Sequence, residues 1–206
     1  NGGAVDVGNR AGSQHRHLRD AVGTPYPGGT GTAAGNACAT LPIEERNADT
    51  GGTKVPSQLN LPVDQPVVFT LTTTNNGNLP LIDLVVSDPP AQADGTPPTP
   101  TQDSVWYWGQ FVDATVTGPA ADRVTVEVYT PAGGWQLLGL VDPADYRDVI
   151  AVRGLIATLN PTESFSLNVG MTARVPLPDG VELATLTNCY GITADTSAGS
   201  YEYDAE

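Results

Sequence analysis

An all-β fold follows from three features of this 206-residue chain. Turn formers are abundant, with 23 Gly and 18 Pro. Thr and Val are in visible surplus, and short runs alternate apolar and polar residues with period two. Together these predict an antiparallel β-sandwich of about eight strands, a size at which one all-β domain is ordinary.

Residues 1–50 read as an irregular extension or linker. Their Gly, Ala, Thr and Asn, ending in TPYPGGTGTAAGNA around residue 36, follow no period of a strand or helix. HLRDAV, near Leu18 to Val22, suits a turn of helix but lacks length. The sandwich is expected over 51–198. In PVVFTLTTTN, Val67, Phe69 and Leu71 share one face while Val68, Thr70, Thr72 and Thr74 share the other, and NNGN then turns the chain. LPLIDLVVSD places Ile82, Leu84 and Val86 together, and the same alternation carries Asp88 onto that apolar side. A carboxylate is unexpected there.

The proline-rich DPPAQADGTPPTPTQ opens an elongated middle insertion, 90–154. Strands are predicted in VWYWGQF, RVTVEVYT, GWQLLGL, VIAVRGLIATL, ESFSLNVGMTARV and ELATLTNCYGIT, with TPAGG turning a hairpin between Thr130 and Gly134. In the last, Ala184, Leu186, Asn188, Tyr190 and Ile192 share a side, so Asn188 points with apolar residues. Residues 199–206 read as an acidic tail.

Nine Lys and Arg stand against 23 Asp and Glu, a net charge of -14. Such a field repels phosphate backbones and anionic lipid, which argues against nucleic-acid and membrane-surface partners. No apolar run is long enough to span a bilayer, and Asn1 follows neither a start methionine nor an apolar leader, so the chain reads as a piece of a longer protein. Cys38 and Cys189 have no CxxC context. They either pair in an oxidising compartment, where so large a loop adds on the order of 4 kcal/mol in the chain-entropy model, or stay as two buried thiols.

The run PVDQPVVFTLTTTNNGNLPLIDLVVSDPP resembles the repeated immunoglobulin-like domains of large Gram-positive surface proteins. That family has a lysine strand, a Tyr or Phe strand ending in Asn-x-Gly, a strand closing on Asp-x-x-Pro and a last strand beginning Thr-Asn. Here the elements are TKV, VVFTLTTTNNGN, LVVSDPP and LTNCYGIT, and LNPTESFSL is similar to its Pro-Gly-Glu-Ser stretch. Thr162 stands where the family prefers glycine. The resemblance covers 53–89 and 155–194 and leaves 90–154 unmatched. It implies an immunoglobulin-like antiparallel β-sandwich, akin to fimbrial domains that cross-link themselves.

What the resemblance implies chemically agrees with the inward polar positions. Lys54, the only lysine in the chain, would attack the carboxamide of Asn188, release ammonia and leave an isopeptide bond. The step needs a neutral amine and a polarised carbonyl. Burial disfavours both charged forms, so a protonated Asp88 would donate to the carbonyl and shuttle the proton, with Asp83 or Glu163 as alternative acids. First and last strands are expected to lie side by side. The plainer reading of the same residues is a solvated edge lysine, a polar edge asparagine and a loop-capping aspartate.

Trp106 and Trp108, on one face of a strand, are candidates for a stacking platform for sugar or peptide, although burial against the sandwich is the commoner fate of such a face. His15 and His17 lack a carboxylate frame for a metal. Asp142, Asp145, Asp148 and the tail carboxylates suit calcium chemically, without the glycine and spacing of a helical calcium loop; no other cofactor is implied. No nucleophile elbow, P-loop, HExxH or dinucleotide fingerprint occurs, so no turnover enzyme is expected.

The function expected is a structural stalk module of a cell-wall-anchored adhesin or fimbrial protein, extracellular, with neighbouring domains of the same protein as partners. One alternative is a glycan- or host-protein-binding module using the aromatic 106–111 region. Another is a β domain appended to a secreted enzyme.

Overall fold

The computed structural model describes residues 5–6, 40–41, 47–61, 65–174, 186–196 and 199–205. His15, His17, Cys38 and the HLRDAV segment lie outside them. The chain divides into two units, Asn1–Glu45 and Arg46–Glu206. In the first, β1 (Val5–Asp6) pairs antiparallel with β2 (Thr40–Leu41), so the segment expected to be irregular contains a short two-stranded pairing.

The second unit is a sandwich of two antiparallel sheets. One has four strands in the order β3 (Thr50–Pro56), β4 (Val67–Asn75), β10 (Ser164–Ala173), β6 (Gly109–Thr117). The other has six, in the order β12 (Gly199–Ala205), β11 (Tyr190–Thr196), β5 (Leu81–Asp88), β9 (Ala151–Leu159), β7 (Thr125–Thr130), β8 (Gly134–Leu137). Period-two alternation fills the space between them. Val67, Phe69 and Leu71 of β4, Phe165, Leu167 and Val169 of β10, Leu84 and Val86 of β5 and Ile192 of β11 are all buried in one core. The expected hairpin is present, with Thr130 opposite Gly134, whose φ of 68° uses glycine's access to the left-handed region.

The Asn-x-Gly turn owes its shape to Asn75. Its buried Nδ2 donates to the carbonyls of Leu79 (2.8 Å) and Leu159 (2.9 Å), and its Oδ1 accepts from the N–H of Gly77 (3.0 Å). A buried amide with every neighbour satisfied fixes where β4 ends and joins it to β9 of the other sheet. Thr162 keeps the turn that glycine would make, at φ 69°, with its N–H donating to the Asn75 carbonyl at 2.8 Å.

Four expectations change. Val105–Trp108, expected within a strand, is a single helical turn, α1, capped by Ser104, and the strand β6 starts only at Gly109. Ser104 explains this, because its Oγ accepts the N–H of Trp106 and starts a turn that aromatic residues tolerate. Ile82 is 38 % exposed while Leu81 takes the core position. The cause is Asp83, whose φ of 49° makes an irregularity that also shifts the β5–β11 register between Thr193 and Asp195. GWQLLGL is a strand only to Leu137, and 138–140 form a 3-10 turn. Lastly, 199–205, expected as an acidic tail, forms an added strand, pairing Tyr190 with Ala205 through to Thr196 with Gly199.

Candidate site where two sheets meet

The site begins on β3, an edge strand. Lys54 alternates with exposed Thr53 and Val55 and so turns into the sandwich. The glycines before it have a spatial reason. A Cβ on Gly52 would fall 2.1 Å from the hydroxyl of Tyr190, so only glycine lets that ring lie against β3. Tyr190 opens β11, and the chain just before it carries Asn188 and Cys189.

Asp88 closes β5 on the inward side, following Leu84 and Val86, as the alternation predicts. The Lys54 side chain is 7 % exposed and that of Asp88 0 %, and Nζ donates to Oδ2 at 2.7 Å. Nζ also reaches the carbonyl of Cys189 at 3.3 Å. The other carboxylate oxygen, Oδ1, accepts from the indole N–H of Trp106 at 2.8 Å. Asn188 adjoins Cys189, and its Nδ2 is buried with no hydrogen-bond partner. Lysine, carboxylate and the Cys189 carbonyl thus converge from β3, β5 and the approach to β11, with Asn188 one residue away along the chain.

One expectation of geometry is corrected here. β3 and β11 belong to opposite sheets, so Lys54 and the Asn188 segment face each other across the sandwich rather than along one sheet. The ammonium is brought to the carbonyl by side-chain reach, which four methylenes supply, and not by strand pairing.

Burial is the strongest influence on Lys54 and lowers its pKa below the ordinary lysine value; the charge and hydrogen bond of Asp88 oppose this and do not outweigh it. Loss of water is what works against the positive charge, and the carboxylate beside it only partly compensates. The alternative acids fall away: Asp83 is exposed in its bulge, and Glu163 is engaged on the surface by Arg123 at 2.7 Å.

The aromatic platform does not survive the helical turn. Trp106 is 1 % exposed inside the core, while Trp108 is half-buried with its indole donating to the Gln102 carbonyl at 2.6 Å. They share no open face. Trp106 is instead the site residue that strand periodicity missed, since its alternation with Trp108 presupposed a strand. Cys189 is a free, half-buried thiol among the described residues, and Cys38, its candidate partner, lies outside them. Among the described residues no three His, Cys, Asp or Glu side chains cluster to hold a metal. Asp142, a calcium candidate, accepts the N–H of Ala144 and caps a 3-10 turn. No described helix is long and apolar enough to cross a membrane.

No family model and no curated protein matches the sequence. Among solved structures, the major pilin subunit of Bacillus cereus is similar at 9 % identity and a TM-score of 0.42, covering 84 % of this chain and 49 % of its own, so this chain spans about half that pilin's length. A macrocyclisation catalyst of alchivemycin A biosynthesis is similar at 10 % identity, TM-score 0.32, with 73 % and 75 % covered. The yeast delta-COP-I mu-homology domain is similar at 12 % identity, TM-score 0.22, with 71 % and 38 % covered.

Proposed function

We propose that this domain is a structural stalk module of an extracellular, cell-wall-anchored bacterial surface protein, and that it cross-links itself once by an isopeptide bond between Lys54 and Asn188. The observation that carries the reading is the buried Lys54 amine, held by Asp88 and by the Cys189 carbonyl, together with a buried carboxamide nitrogen without a partner on Asn188, the residue just before that carbonyl. Buried polar groups are nearly always satisfied, and here a chemical step removes both the charge and the orphan.

The step balances as follows. Lys54 passes one proton to Asp88, which neutralises both groups, and the free amine attacks Cγ of Asn188. A second proton moves from the attacking nitrogen to Nδ2 by way of the Asp88 carboxyl. The Cγ–Nδ2 bond breaks as the Nζ–Cγ amide forms, and ammonia carries away the first proton as ammonium. Holding amine and carboxamide in one folded pocket supplies the effective concentration that makes a carboxamide reactive. The reaction occurs once per chain, so no turnover is involved. Its product ties β3 to the approach of β11, and a pulling force applied through these ends would bypass most of the sandwich.

Intact mass under reducing conditions tests the reading. The wild type should be lighter than its sequence by one ammonia, and Lys54→Ala and Asn188→Ala should carry full mass. A wild type at full mass would refute it. Fragmentation should find residues 54 and 188 in one branched peptide.

A further inference from the structure

The insertion that the sequence suggests as an adhesive region enters the site twice. Trp106 donates its indole N–H to Oδ1 of Asp88 at 2.8 Å. The residues just before it hold the chain that leads into Asn188: Thr187 donates its N–H to the Asp103 carbonyl at 2.9 Å, Val105 donates to the Thr187 carbonyl at 3.3 Å, and Ser104 and Thr187 form a parallel bridge. Ser104 also caps α1 through the N–H of Trp106 at 3.2 Å, which ties the backbone clamp to the indole.

We propose that 103–106 is the positioning element of the cross-linking reaction, with Trp106 orienting the acid while its flanking backbone seats the electrophile. This rests on the cross-linking reading above. A carboxyl group has two oxygens, and a proton placed on the wrong one is of no use to Lys54. Indole is a donor only, so it cannot compete for the lysine proton. Its bond to Oδ1 survives protonation provided the proton sits on Oδ2, where Oδ1 becomes the accepting carbonyl oxygen. The indole therefore selects Oδ2, the oxygen at 2.7 Å from Nζ, as the one that receives and returns the proton. Trp106 touches neither reacting atom and acts through Asp88.

The test follows linking in time. Full-length chain made by cell-free synthesis is quenched at intervals, and the linked fraction is read by intact mass at several pH values. Trp106→Phe keeps an aromatic ring and loses the N–H; linking should slow on the order of tenfold or more, as loss of a charge-assisted hydrogen bond implies, and its pH profile should move. Benzothienylalanine at position 106, with sulfur replacing the N–H at nearly constant shape, should reproduce the slowing even if Trp106→Phe fails to fold. A wild-type rate and unmoved pH profile in the sulfur analogue would overturn the positioning role while leaving the cross-link intact. A wild type that never loses ammonia would overturn both.

Discussion

Two ion pairs of this domain share a separation and little else. Lys54–Asp88 and Arg123–Glu163 both stand at 2.7 Å, but their side chains are 7 % and 0 % exposed in the first and 38 % and 32 % in the second. At the surface, Glu163 has its pKa lowered by the hydrogen bond from Arg123 and then by the N–H of Asn160, the ordinary outcome of pairing. In the interior, Lys54 is pushed away from its charged form in spite of its partner. Distance sets the attraction; loss of water decides whether the charges are comfortable. The surface pair clasps a turn, with Arg123 also donating to the Thr158 carbonyl at 2.9 Å. The buried pair joins two strands of opposite sheets, β3 and β5.

The strongest way to break this contrast is to remove one buried partner. In an Asn188→Ala background, where no cross-link forms, Asp88→Ala leaves Lys54 inside without a counter-charge. It should cost about 3–5 kcal/mol in denaturant unfolding. A loss no greater than that of a surface mutation would mean that Lys54 swings into solvent.

The two pairs should also answer pH in the same sense but in separate windows, since both folded pKa values are lowered and both contributions rise with pH. Lys54 carries its burial cost in full below its lowered folded pKa. As pH climbs from there towards the ordinary lysine value of 10.5, the unfolded chain binds more protons than the folded one, and the Asn188→Ala protein should gain stability. A wild type cross-linked as proposed would have an amide there, which does not titrate, and should lack that gain. Glu163 contributes above its ordinary value of 4.5 and loses that contribution as pH falls through its lowered folded pKa. Melting curves of the two proteins across alkaline pH check the first window, and of Arg123→Ala against wild type across acid pH the second.

Smallest is the surface pair itself. Arg123→Ala should change stability at neutral pH by about 1 kcal/mol or less. A cost comparable to Asp88→Ala would show that exposure is not what separates the pairs.

Much of the site was readable before any coordinates. Lys54 stands out as the lone lysine, and Asp88 and Asn188 as polar residues on apolar faces. The order of TKV, NNGN, LVVSDPP and LTNCYGIT put Lys54 and Asp88 in strands that are found, whereas Asn188, expected within the last strand, lies just before it, since β11 starts at Tyr190. What misled was local. VWYW alternates well enough to pass for a strand, and only the Ser104 cap turns it into helix. Ile82 obeyed the period until the left-handed backbone of Asp83 shifted it outward. The acidic 199–205 segment gained its strand from β11, a neighbour that polar composition does not advertise.

The inward turn of Asp88 was the sequence's own contribution, because a strand's side chains alternate by covalent geometry and the count along LPLIDLVVSD reaches it. The direction of Lys54, set among glycines and a proline, could not be counted in that way, and Asn188 lies just before β11 rather than within it. Which inward groups meet was decided only by the tertiary structure. Pairing of β3 with β4, β11 with β5, and α1 with the approach to β11 joins residues distant in sequence, and no local period encodes it. That assembly set Lys54 across the sandwich from the Asn188 segment, placed Trp106 on the free oxygen of Asp88, and shut out the water that favours the charged form of the amine.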